Sequence, residues 1–168
     1  DTVAYDENTA MQYNRLFEAP EARVLVVDDD ELNLMITTKL LQDTKMSIDT
    51  ASSAEECLKK TSTRYYNLIL MDYMMPEMNG GELLREVRKQ GNGLCKDSHV
   101  VLLSANVLAD KQLEYQQLGF DGLLEKPVEA SRLEQEVLKH IPEELVEYYR
   151  DSLVGVEKEY FVTRSSRR

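Results

Sequence analysis

The sequence predicts an α/β fold: a parallel β-sheet with helices wound over both of its faces. Three observations carry that expectation. From residue 23 onward, short apolar runs alternate with stretches of helical period. The runs VLVV at 24–27, NLILM at 67–71 and VVLLSA at 100–105 are apolar almost throughout, as strands covered on both faces must be. The segments between runs suit right-handed helical crossovers, which join parallel neighbours.

The first 22 residues carry five acids against one arginine, are punctuated by Pro20, and read as a linker or loosely docked segment. VLVV then forms a first strand, closed by Asp28, Asp29 and Asp30. ELNLMITTKLLQ follows as a helix with apolar residues three and four apart. Asp30, beside Glu31, suits its N-cap, where an acid meets the positive end of the helix dipole. SIDTA at 47–51 is the second strand and SAEECLKKTS the second helix. The third strand ends on Asp72, and Pro76 and Gly80 shape the loop into the helix GGELLREVRKQ. Ser104 lies near the end of the fourth strand, before the helix LADKQLEYQQLG. GLLE at 122–125 is the fifth strand, followed by Lys126, Pro127 and the helix SRLEQEVLKHI. An X-Pro bond adopts the cis form at low cost, and a cis Lys126–Pro127 turn would aim the lysine into a pocket at the strand ends. After Ile141, PEELVEYYRDSLVGVEKEYFVTRSSRR reads as a helical extension breaking up into a basic tail. The expected organisation is therefore 1–22 linker or loosely docked segment, 23–141 domain and 142–168 helical extension with a basic tail.

A chain of 168 residues holds one such domain with extensions, and 42% hydrophobic and 30% charged residues are ordinary for a globular fold. A formal net charge of -11 argues against binding along a phosphate backbone, so no direct nucleic-acid partner is expected. Cys57 and Cys95 show neither zinc-site nor disulfide spacing, which fits a reducing compartment, and His99 and His140 show no partner pattern. No apolar run reaches the roughly 18 residues of a membrane span, and no signal-peptide layout is present. The segment is expected to be cytoplasmic and to make no membrane contact itself. Because it begins with Asp1, it reads as a piece of a longer protein, whose remainder could be membrane-anchored.

In a sheet of this kind the functional residues collect at the carboxyl ends of the strands. Those positions hold Asp28, Asp29, Asp30, Asp72, Ser104 and Lys126. Crowded carboxylates repel one another, and a hard divalent cation relieves the repulsion; Mg²⁺ is the natural candidate, using one or two carboxylates and completing its shell with water and phosphate oxygens. Asp72, kept ionised, could attack phosphorus to form an acyl phosphate. Ser104 could donate a hydrogen bond to one phosphoryl oxygen and the Lys126 ammonium could neutralise another. Taken singly, Asp72 reads as a strand-end cap, Ser104 as a satisfied hydroxyl and Lys126 as a solvated surface lysine; their sister positions weigh against that. Met71, Met74, Met75 and Met78 read as packing and loop cover rather than as a soft-metal patch.

VLVVDDDELN, LILMDYMMPEMNG, VVLLSAN and GFDGLLEKPV resemble, in order and spacing, the four signature blocks of a response-regulator receiver domain, a resemblance reaching from residue 23 to about residue 141. It implies a flavodoxin-like (βα)5 fold with strand order 2-1-3-4-5. It further implies Asp72 as phosphoacceptor, Asp28 and Asp29 as the Mg²⁺-binding acid pair, the main-chain carbonyl of Met74 as a further ligand, and Ser104 and Lys126 as phosphoryl contacts. The implied donor is a phosphohistidine on a histidine kinase or histidine phosphotransfer domain, and the implied recipient of the signal is an output protein or domain. Such a module catalyses its own phosphoryl acceptance and slow dephosphorylation and is not a kinase. The leader FEAPEARVLVVDD and the SAN block are most similar to receivers attached to hybrid sensor histidine kinases.

One position departs from the family pattern. Receivers often carry an aromatic residue three positions before the lysine, whose rotation reports phosphorylation; here Leu123 stands there, so that coupling is lost or is carried by packing. Met74 and Asn106 occupy positions that in the family tune attack of water on the acyl phosphate. Two rival readings remain: a pseudo-receiver that binds partners without phosphorylation, and an aspartyl-phosphate phosphatase. The second commonly needs a general acid two residues after the nucleophile, where Met74 offers no proton.

Overall fold

The structure is a computed structural model, and it describes residues 17–148. Its strands are β1 (Phe17–Glu18), β2 (Arg23–Val27), β3 (Ser47–Ala51), β4 (Leu68–Asp72), β5 (His99–Ser104), β6 (Gly122–Glu125) and β7 (Glu147–Tyr148). The helices are α1 (Glu31–Leu40), α2 (Ala54–Thr63), α3 (Gly80–Lys89), α4 (Ala109–Leu118) and α5 (Ala130–Leu138). The main sheet has the order β3-β2-β4-β5-β6 with every neighbour parallel, which is 2-1-3-4-5 when its own five strands are counted in sequence. The flavodoxin-like topology is therefore present as expected.

The two-residue period of the strands sorts the core into two layers. Val24, Val26, Leu68, Leu70, Val101 and Leu103 face one side, where Leu34 of α1 and Leu133 and Val137 of α5 cover them. Leu25, Val27, Ile69, Met71, Val100 and Leu102 face the other, against Cys57 of α2, Leu83, Leu84 and Val87 of α3, and Tyr115 of α4. All five residues of β4 are buried, so this central strand can end on an acid only where the sheet opens to solvent. Among the described residues no helix is long and apolar enough to cross a membrane.

Two expectations need correction at the edges of the domain. Residues 17–22 are neither a linker nor loosely docked: Phe17, Ala19 and Ala22 are buried in the same apolar layer as Val24, and the Ala19 amide donates to the Thr44 carbonyl at 2.7 Å. Residues 142–148 are not α-helical either. A 3-10 turn at Glu143–Leu145 leads into β7, which pairs antiparallel with β1, while Val146 is buried beside Phe17 in that layer. Pro142 fixes an extended entry to this segment, and burying Val146 rewards a chain that returns to the sheet rather than one that projects as a helix. The rest of the expected linker and extension, including the basic tail, lies outside the described residues. Phe17→Ala is expected to lower the unfolding free energy by about 3–5 kcal/mol in urea titrations, as for other fully buried phenylalanines.

Glu134 of α5 is the buried charge that this packing does not pair. It is buried, its Oε1 has no hydrogen-bond partner among the described residues, and burial, with the charge of Asp43 adding to it, pushes its carboxyl up to about 7. The folded protein thus holds a proton that the unfolded chain releases above its ordinary carboxylate pKa of roughly 4.3. Stability is fullest below that value and falls as pH rises toward 7, because in that window the native state binds more protons than the unfolded state. Glu134→Gln is expected to stabilise the protein at pH 8 by about 1–3 kcal/mol and to flatten the loss between pH 4.5 and 7, measured by chemical denaturation across pH.

Candidate functional site

The first acid is placed by the sheet itself. Just past β2, the Asp28 amide still donates to the Ala51 carbonyl at 3.1 Å, and the Asp28 Oδ1 accepts the Asp30 amide at 2.9 Å, bending the chain out of the strand. Asp30 in turn accepts the Leu32 amide at 2.9 Å and serves as the N-cap of α1. That leaves Asp28 at 2% exposure pointing across the strand ends, with Asp29 exposed beside it.

Asp72 is the last residue of β4, only 5% exposed. A glycine is needed opposite it. A Cβ on Gly80 would lie 2.9 Å from the Asp72 carbonyl oxygen, while the Gly80 amide donates to the Tyr73 carbonyl at 2.8 Å, so α3 starts directly against the strand end. Asn79 and Glu82 close that helix start with a reciprocal capping box. The Met74 backbone is the weakest of the influences that hold the Asp72 carboxyl down, and the Met74 side chain projects into solvent.

Lys126 arrives from β6. Its amide donates to the Ser104 carbonyl at 2.9 Å, its peptide bond to Pro127 is cis, and its Nζ reaches Asp72 Oδ1 at 2.8 Å and Asp28 Oδ2 at 3.3 Å. One carboxylate oxygen from each of Asp28, Asp29 and Asp72 lies within 4.8 Å of the others. One ammonium thus pairs with two of the three clustered acids. Burial raises the Asp72 carboxyl above its usual range, with the Asp28 charge adding to the rise and the Lys126 hydrogen bond opposing it. For Lys126 burial works to lower the pKa, but the hydrogen bond and charge of Asp72, with Asp28 behind them, hold the ammonium above its ordinary value. Lys126→Met would leave Asp28 and Asp72 buried without a counter-charge, and is expected to cost about 3 kcal/mol of stability by denaturant titration.

Ser104, at the end of β5, is buried, and its Oγ turns toward the α4 side. It accepts the Asn106 amide at 3.0 Å, donates to the Asn106 carbonyl at 3.2 Å and stands 3.3 Å from the Tyr115 hydroxyl. Tyr115 packs its ring on Tyr73 with centroids 5.2 Å apart. Sequence reasoning did not find Tyr115. Its signal was only its place on the apolar face of a largely polar helix. Leu123 packs, partly buried, against the same layer as Tyr115.

The oxygen-only donor set of Asp28, Asp29 and Asp72 fits a hard divalent cation and would be a poor choice for a soft one. The sequence profile of the response regulator receiver domain matches residues 24–138, the same stretch that builds this sheet and its acidic edge. The chain belongs to that family.

Over 115 residues the receiver is 36% identical to the aerobic respiration control sensor protein ArcB of Escherichia coli K12, a match that covers 68% of this chain and 14% of ArcB. It is 29% identical over 122 residues to hybrid signal transduction histidine kinase L of Dictyostelium discoideum, covering 70% of this chain and 7% of that protein. The chain therefore spans a small part of the relatives it matches. Among solved structures, the chemotaxis response regulator CheY4 of Vibrio cholerae superposes with a TM-score of 0.66 at 28% identity, covering 71% of this chain and 98% of that one. The receiver domain of sensor histidine kinase PA1611 from Pseudomonas aeruginosa, which has a magnesium ion coordinated in its active-site cleft, shares the fold with a TM-score of 0.63 at 24% identity, over 71% of this chain and 96% of that one.

Proposed function

We propose that this receiver is a phosphoacceptor module of a two-component phosphorelay, taking a phosphoryl group from a phosphohistidine onto Asp72. The observation that carries the reading is the convergence of three carboxylates within 4.8 Å, with a lysine ammonium 2.8 Å from the proposed acceptor. Asp28, Asp29 and Asp72, with the Met74 main-chain carbonyl as a fourth donor, would hold Mg²⁺. Bound there, the ion would supply positive charge to the carboxylates and to the incoming phosphoryl oxygens.

The chain's own residues supply the rest. An Asp72 carboxylate oxygen attacks phosphorus, the P–N bond to the donor imidazole breaks, and its electron pair stays on the departing ring. Lys126, already hydrogen-bonded to Asp72, is placed to donate to a phosphoryl oxygen, and the Ser104 hydroxyl can turn from Asn106 and Tyr115 to donate to another. Water later attacks the acyl phosphate, releasing inorganic phosphate and restoring the carboxylate. Leu32, Met35 and Ile36 are exposed on α1, which begins next to the acid cluster, and offer an apolar surface to a histidine kinase or histidine phosphotransfer domain. The new charge shifts an equilibrium between surface conformations that an output protein or domain reads. A cytoplasmic setting belongs to this proposal.

The phosphatase reading is disfavoured by the Met74 thioether standing where a proton donor is needed. The pseudo-receiver reading gives a different outcome in one experiment. Incubated with acetyl phosphate and Mg²⁺, the protein is expected to gain one phosphoryl group by intact-mass spectrometry, and none when a chelator removes the metal. No gain in Mg²⁺ would favour the pseudo-receiver.

A further inference from the structure

The chain has two histidines, and the fold brings them together. His99 opens β5 and His140 follows the end of α5, 41 residues later, yet their Nδ1 atoms face each other at 2.8 Å. The other nitrogen of His140, Nε2, meets Glu136 Oε2 at 2.8 Å, and Lys139 Nζ lies 3.3 Å from Glu136 Oε1. His140 and Glu136 side chains are 7% and 13% exposed, so this pair is held inside the fold while His99 remains at the surface. The recess is made by a missing side chain. A Cβ on Gly122 would stand 2.4 Å from Glu136 Oε2 and 3.2 Å from His140 Nε2.

A carboxylate only accepts, so Glu136 fixes the hydrogen of His140 on Nε2 and leaves the Nδ1 lone pair directed at His99. Two imidazole nitrogens brought this close share either a hydrogen, donated by His99 Nδ1 to the His140 lone pair, or a metal ion in its place. We propose that His99 and His140 form a site for a borderline divalent transition-metal ion such as Zn²⁺, bound between the two Nδ1 atoms. Imidazole nitrogen suits such ions, and a carboxylate on the far nitrogen of a ligating histidine is the usual outer partner that orients the ring and raises its basicity. At Zn–N distances of about 2.0–2.1 Å and a tetrahedral angle, the nitrogens would be about 3.3 Å apart. The pair therefore opens by roughly half an ångström, a movement the exposed His99 ring can make. Water completes the shell.

This site is chemically and spatially separate from the acid cluster. Ser104 and His99 lie at opposite ends of β5, about 17 Å of extended chain apart, and the acids at the Ser104 end select a hard ion. A bound ion would clamp the start of β5 to the end of α5.

The test titrates ZnCl₂ into the chelator-stripped chain in saturating Mg²⁺ by calorimetry, with the histidine ring nitrogens followed by NMR. One Zn²⁺ per chain is expected at micromolar concentration, with both Nδ1 resonances shifted and the melting temperature raised. His99→Ala, at an exposed position that does not threaten folding, is expected to weaken binding at least tenfold and to abolish the gain in melting temperature. Glu136→Gln is expected to weaken it about 10–100-fold, and Asp28→Asn to leave it unchanged. The proposal is overturned if His99→Ala binds Zn²⁺ as the parent does, if Zn²⁺ shifts the Asp72 loops instead of the rings, or if the parent binds only at millimolar Zn²⁺.

Discussion

Asp28→Asn is expected to slow phosphoryl uptake from a small donor by at least about a hundredfold, the scale seen when one preorganised electrostatic group is removed from a transfer site. The substitution is nearly isosteric. Asparagine keeps an Oδ1 to accept the Asp30 amide, so the turn into α1 survives, while one of the three converging charges is lost. Stability should hold or rise, since the Asp28 charge is one of the causes that raise the Asp72 carboxyl. The two effects therefore part company: a protein at least as stable, with a much slower reaction and a weakened dependence on Mg²⁺. Time courses of intact mass over a range of Mg²⁺ concentrations would measure the first effect and denaturant titration the second. Uptake at the parental rate would mean that Asp28 plays no part.

The strand-end acids were legible because two simple rules meet there. Period-two apolar runs mark buried parallel strands, and such sheets gather function at their carboxyl ends. Asp28, Asp72, Ser104 and Lys126 stand at those ends by position in the sequence alone. What escaped were pairings across long stretches of chain. Phe17 and Tyr148 pair through two-residue strands, too short to carry any period, so the burial of Phe17 and Val146 left no mark in the pattern. His99 and His140 looked unpartnered because β5 and α5 meet only in three dimensions. Glu134 sits next to Leu133 and one turn before Val137, at the margin of an apolar stripe where a charge reads as solvated. Tyr115 reached Ser104 by the same kind of tertiary contact.

Asp72→Asn is expected to abolish phosphoryl uptake altogether. Within the acid cluster Asp72 has the shortest contact to Lys126, at 2.8 Å, and an amide in its place offers no anionic oxygen to attack phosphorus. The folded state should persist, because the substitution removes a carboxyl whose charged form burial already disfavours. Intact-mass and peptide-level mass spectrometry of both proteins after incubation with acetyl phosphate and Mg²⁺ tests the claim most directly. The expected result is one added phosphoryl group, mapped to Asp72, in the parent and none in the variant. Equal gain in both proteins, or a phosphoryl group mapped to any other residue, would contradict it.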